Sequence, residues 1–179
     1  MSLTRHLLRG LATAALGAAA ALAHAQQASE AALKAAFLYK FAGYAEWPAQ
    51  AFSAADAPIV IGVAGNDDVA AELERLVPGR VVNGRPVAVR RVRDATGLAG
   101  VHELFVGRAE AGARALVRTA TQQSALTVTE SSLETGSAIN FVAVDDRIGF
   151  EVSLENAEKA GVRISARMLS VARRVVQKP

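Results

Sequence analysis

The sequence contains no cysteine. That excludes disulfide cross-links, a thiol nucleophile, thiolate metal sites and a lipid-bearing N-terminal cysteine together. Histidine is nearly as scarce, with three in 179 residues, and only His102 lies beyond the first 25 positions. The adjacent acid pairs Asp67-Asp68 and Asp145-Asp146 do not make up the shortage, because neighbours in sequence do not share a face. The sequence thus offers no metal site. A Ser-His-Asp hydrolase would need His102 as base and a serine on a sharp elbow, and no G-x-S-x-G sequence occurs. A lone histidine without an acid-base partner in reach reads as a packed or surface side chain. No catalytic residue and no cofactor is assigned.

The apolar run from Gly10 to Leu22 is too short for a membrane span, which needs ~20 apolar residues. Arg5 and Arg9 precede it, and Ala23-His24-Ala25 places small residues where a signal peptidase reads. The expectation is a signal peptide over 1–25 and a single folded domain over 26–179, located in the periplasm. The formal charge of +3 falls by two, to +1, once Arg5 and Arg9 are removed, which makes nucleic acid a poor partner.

Ser29 can cap a helix running through Glu46, with Leu33, Phe37, Phe41, Tyr44 and Ala45 on one side and Lys34, Lys40 and Glu46 elsewhere. Trp47-Pro48 ends it. Phe37, Phe41 and Trp47 read first as core; as a group they are also the candidates for an apolar ligand pocket. Residues 58–64, PIVIGVA, form a continuous apolar run suited to the middle of a covered sheet. Gly65-Asn66 then caps a helix from Asp67 to about Val77. Glycines before a helix suggest a phosphate cradle, but two carboxylates in the first turn would repel phosphate, so nucleotide binding is rejected.

Asn83-Gly84 marks a turn into a strand over 85–92 whose arginines read as its solvated face. Residues 101–106 form a strand, 110–120 a helix, 124–128 a strand, and 129–136 a polar loop. Two apolar runs around Asp145-Asp146-Arg147 predict a hairpin over 139–152, followed by a short helix over 156–160 that Gly161 stops. From Ser165 onward Met168, Leu169, Ala172, Val175 and Val176 recur at helical spacing beside Arg167, Arg173 and Arg174. That spacing predicts an amphipathic terminal helix with a basic face. The fold class is α/β: a single-domain three-layer sandwich with a mixed, partly parallel sheet, closed by a C-terminal β-hairpin plus helix.

Several stretches together resemble the YfiR-like family: Lys34-Ala35-Ala36-Phe37-Leu38-Tyr39-Lys40-Phe41 running to Trp47-Pro48; Val82-Asn83-Gly84-Arg85; His102 to Gly107; Ile139-Asn140-Phe141; Phe150-Glu151-Val152-Ser153-Leu154; and Ala160-Gly161 through Met168-Leu169. The resemblance implies a non-enzymatic periplasmic protein, often a homodimer, that binds the periplasmic sensory domain of an inner-membrane diguanylate cyclase. Binding holds the cyclase inactive, lowers cyclic di-GMP signalling and disfavours biofilm growth; release can follow sequestration by an outer-membrane lipoprotein. Redox control through cysteine pairs, found in some relatives, does not transfer to a chain with no cysteine. For partner binding the sequence nominates Glu151 with Arg167, Arg173 and Arg174, since arginine beside apolar surface anchors interfaces. The alternative is a periplasmic small-molecule-binding sensor or carrier domain.

Overall fold

The computed structural model describes residues 30–144 and 147–177. The expected leader, the Ser29 cap and the Asp145-Asp146 turn lie outside the described residues. A first helix, α1 (residues 30–44), gives way at Ala45–Glu46 to a two-residue strand, β1, which pairs antiparallel with β9 (Arg163–Ile164). The helix therefore stops two residues earlier than expected, because its exit is captured by a partner strand.

The remaining strands make one eight-stranded sheet. They are β2 (Ile59–Ala64), β3 (Val81–Val82), β4 (Arg85–Arg91), β5 (Glu103–Val106), β6 (Leu126–Thr129), β7 (Ile139–Val144), β8 (Arg147–Ser153) and β10 (Arg174–Val176). Their spatial order is β10-β8-β7-β6-β5-β2-β4-β3. The block β7-β6-β5-β2-β4 is parallel throughout, whereas β7 with β8 and β3 with β4 are antiparallel. The sheet is thus mixed, as the alternation of strand and helix signals implies.

β2 is buried at all six positions, and its side chains serve both faces. Ile59, Ile61 and Val63 join a cluster with Leu38 and Phe41 of α1 and with Val69 and Leu73 of α2 (Asp67–Leu76). Val60 and Ala64 point the other way, toward Leu116, Val117 and Ala120 of α3 (Ala113–Gln122). Strand alternation thereby produces the three layers. Between β3 and β4, Asn83 (φ 50°) and Gly84 (φ 80°) are both left-handed, which a two-residue primed hairpin turn demands and Asn-Gly supplies.

Two expectations along α1 are corrected. The inward stripe is Ala31, Ala35, Leu38, Phe41 and Ala42, so small residues let the helix approach the sheet closely, while Leu33 stays 44% exposed. Lys34, expected on the outer side, is buried because a carboxylate meets it there. The β4 arginines are also more than a solvated face. Arg85 donates to the carbonyls of Ala54 and Ala57, Arg90 to those of Gly97 and Ala99, and Arg91 to Glu74 and Asp67.

After α4 (Leu154–Lys159), capped by Ser153 Oγ, and β9, the chain forms only one terminal helical turn, α5 (Ala166–Leu169). Met168 is buried as expected. The extended terminal helix is not formed. Instead Arg174–Val176 join β8 as a parallel strand, with Arg173 N–H donating to Phe150 O at 2.8 Å. The open edge of β8 supplies backbone partners, and Val175-Val176 suits a strand, so tertiary pairing overrides the helical spacing.

Candidate functional site

The C-terminal edge brings together three of the four nominated partner-binding residues, Glu151, Arg173 and Arg174. Glu151 of β8 lies opposite Arg174 of β10 in register, and the Arg174 guanidinium grips the carboxylate with two hydrogen bonds of 3.0 Å each. The hydrogen bond and charge of Glu151 push the Arg174 pKa up. Arg173 is exposed, and its stem crosses Gly149: a Cβ at Gly149 would come within 2.8 Å of Arg173 Cγ. Arg167 is exposed on α5, outside the β8–β10 pairing, and Val171 between them is 67% exposed. Glu151, Arg173 and Arg174 thus form one surface on an edge strand rather than on the face of a helix.

Phe37 and Phe41 are placed differently from a pocket lining. Their rings pack with Phe141 and Phe150 at centroid separations of 4.9–5.9 Å, which makes them part of an aromatic core. Trp47 belongs to another group, with Phe52 and His102. His102 engages both ring nitrogens with backbone: Nδ1 accepts from Val60 N–H at 3.1 Å and Nε2 donates to Ala51 O at 3.1 Å. Burial pulls its pKa down, and Arg85 and Arg90 add to that, against an opposing contribution from the Ala51 carbonyl. This is a packed histidine in the bend just before β5, whose first residue is Glu103 rather than Val101 as expected.

A cleft opens elsewhere. From β2 the chain passes through α2 to β4 on one side, then crosses to β5 on the other and continues outward to β6. In open α/β sheets, crevices form at such a reversal, outside the carboxyl ends of the strands. Here an open cleft of about 310 Å³ lies between Gly65-Asn66-Asp67-Asp68, Arg108-Ala109 and Glu130. The Gly65 turn on its wall is in tight contact with Gly107: a Cβ on Gly107 would fall 2.4 Å from Gly65 O. Asn66 caps α2 by accepting from Val69 N–H at 3.1 Å, and Asp67 is held by Arg91 at 2.6 Å.

Glu130 anchors this end of the sheet. It accepts from Arg108 N–H at 2.8 Å and from Lys34 Nζ, and Asn66 Nδ2 lies 3.5 Å away. Burial pulls the Lys34 pKa down, but hydrogen bonds and attraction to Glu130 and Glu30 exceed that effect, so the net direction is upward. Sequence reasoning missed this pair. The usable signal was that Lys34 sits beside Ala31 and Ala35 on the packing stripe, and that Glu130 directly follows a strand in the parallel block.

The YfiR/HmsC-like family model matches residues 31–173, nearly the whole described region. The chain belongs to the YfiR/HmsC-like family. No curated protein matches it. Among solved structures it is similar to a conserved domain protein from Vibrio cholerae O1 biovar El Tor str. N16961, at 12% identity and a TM-score of 0.46. That similarity covers 65% of this chain and 54% of the Vibrio chain, so this chain spans about half the length of its solved neighbour. Family membership accords with the mixed α/β sheet. No helix among the described residues is long and apolar enough to cross a membrane.

Proposed function

We propose that this protein is a periplasmic regulator that binds the periplasmic sensory domain of an inner-membrane diguanylate cyclase and represses it, lowering cyclic di-GMP, without catalysing a reaction itself. The observation that carries this reading is the family match over residues 31–173. The C-terminal edge supports it. Glu151, Arg173 and Arg174 bring both signs of charge beside exposed Val171, the mixture of an apolar contact and a charged rim that docking surfaces use. Arg167 extends the basic side. In this proposal a leader over 1–25 directs export, the protein forms a homodimer, and an outer-membrane lipoprotein releases the cyclase.

The test is a binding titration of the protein against the periplasmic domain of its host's membrane-bound cyclase, paired with cyclic di-GMP measurement in cells. Binding at about micromolar Kd or tighter is expected, with cyclic di-GMP rising when the gene is deleted. Absence of binding together with unchanged cyclic di-GMP would exclude the reading.

A second reading, a small-molecule sensor, gains support from the cleft at the strand-order reversal, whose volume of about 310 Å³ falls at the small end of ligand sites. A ligand there would raise thermal stability in proportion to RT ln(1 + [L]/Kd).

A further inference from the structure

Residues 49–57 run along the N-terminal end of the parallel block with no regular structure beyond one 3-10 turn, Ala49–Ala51. Side-chain attachments hold this strap down, and they converge on His102. Its Nε2 donates to Ala51 O at 3.1 Å, its ring stacks on Phe52 at 4.4 Å and 18°, and its own carbonyl receives Trp47 Nε1–H at 2.8 Å. Its Nδ1 accepts Val60 N–H at 3.1 Å, at the start of β2. On the same Phe52 ring sits the Arg85 guanidinium, 3.8 Å from the centroid, which also donates to the Ala54 and Ala57 carbonyls.

The arrangement holds for only one protonation state. Nδ1 must be bare to accept from Val60. A proton there would set two donors against each other at 3.1 Å and leave a buried N–H without an acceptor. It would also place a second cation on the ring that Arg85 occupies, with Arg90 as a further positive neighbour from β4. Attraction of an imidazolium to the Phe52 face acts in the opposite sense but is shared with Arg85. Among the described residues no anion pairs with His102: Asp56, the acid within residues 49–57, is exposed and makes no hydrogen bond or ion pair with the ring. Glu103, the next residue, is buried in β5 beside Ile61 and Leu126, its carboxylate oxygens make no hydrogen bond to the ring, and burial pushes its pKa well up. Trp47, Phe52, Ala51 and Val60 contribute no charge.

We propose that residues 49–57 are an acid-released strap, with His102 as the proton-sensing group and Trp47 and Phe52 as the apolar surface uncovered on release. A histidine outside this setting takes up its proton at about pH 6.5. The released state therefore binds the proton more readily than the closed one, and acid shifts the population toward release.

Trp47 is the only tryptophan, so its emission reports the strap directly. In the full-length protein, taking pH from about 8 to about 5 should red-shift the emission and raise acrylamide quenching about two-fold, with a midpoint below about 6.5 and far-UV circular dichroism unchanged. His102→Gln should abolish the transition. In wild-type protein the Val60 amide and His102 ring NMR signals should move with the same midpoint, which keeps the test valid if the variant fails to fold. The proposal is overturned if Trp47 emission stays constant while the His102 ring titrates. A transition that persists in His102→Gln, or one that coincides with loss of secondary structure, overturns it equally.

Discussion

Lys34 and Glu130, 96 positions apart in sequence, form an ion pair in which the side chains keep only 9% and 10% of their exposure. The pair ties α1 to the carboxyl end of β6 beside the cleft. Removing one partner leaves the other charge buried without its counterion, which typically costs more than the pair contributes. Lys34→Met should destabilise the protein by about 3 kcal/mol in urea unfolding, and Lys34→Met with Glu130→Gln, which removes the second charge but keeps an acceptor for Arg108 N–H, should recover most of that loss. Additive losses in the double variant would show that the two charges are not coupled. The raised Lys34 pKa fixes the pH sense: this contribution is fully present below the ordinary lysine value of 10.5 and is lost as pH rises through the higher folded value.

Glu103 presents the reverse situation. It is fully buried between Ile61 and Leu126, neither carboxylate oxygen has a hydrogen-bond partner among the described residues, and burial pushes its pKa well up. The folded state holds this proton more tightly than the unfolded chain does. Its stability contribution is therefore complete below about pH 4.5 and declines as pH rises toward the folded value. Glu103→Met should raise Tm at neutral and alkaline pH, by about 1–3 kcal/mol in stability, and flatten the pH dependence. Thermal melts between about pH 4 and pH 9 decide it; a lower Tm for Glu103→Met at every pH contradicts the argument.

The glycine turns give a third prediction. At Gly107 an added Cβ would meet Gly65 O at 2.4 Å and Gly65 C at 2.8 Å, backbone atoms that cannot swing aside. At Gly79 nothing lies within 4 Å, and only the left-handed φ of 73° opposes a side chain. Gly107→Ala should cost about 3 kcal/mol and Gly79→Ala about 1 kcal/mol, read from urea midpoints. Equal costs would show that the turns are not in tight contact.

How much of this was legible in the sequence follows from where the information resides. The strand expected over 58–64, the Asn83-Gly84 turn and the paired strands expected over 139–152 are local patterns, and they appear at Ile59–Ala64, at Asn83-Gly84 and at Ile139–Val144 with Arg147–Ser153. Lys34 was misplaced because α1 packs through alanines, so apolar size gave a false inward direction. The segment after Ser165 carries a helical spacing over too few residues, and the free edge of β8, invisible in a linear reading, draws Arg174–Val176 into the sheet. Arg173 and Arg174 were therefore assigned to a helical face that does not exist, although Glu151 and Arg174 do meet. The cleft depends on strand order, which no local signal encodes.

The docking surface gives a fourth prediction. Glu151→Arg should weaken binding to the cyclase domain at least tenfold, because it sets three cations side by side where the wild type pairs opposite charges. Arg173→Glu should weaken it as well while leaving Tm within about 2 °C, since an exposed side chain is replaced. Unchanged affinity in both variants would remove this edge from the interface.

The eight-stranded sheet terminates in β3 at one border and β10 at the other, only two and three residues long respectively. Arg80 stands just before the first, and Arg173 and Arg174 mark the start of the second. Borders this brief and this cationic give a neighbouring copy almost no backbone ladder to extend and a like charge on approach. Strand addition onto β3 and β10 themselves is thereby discouraged.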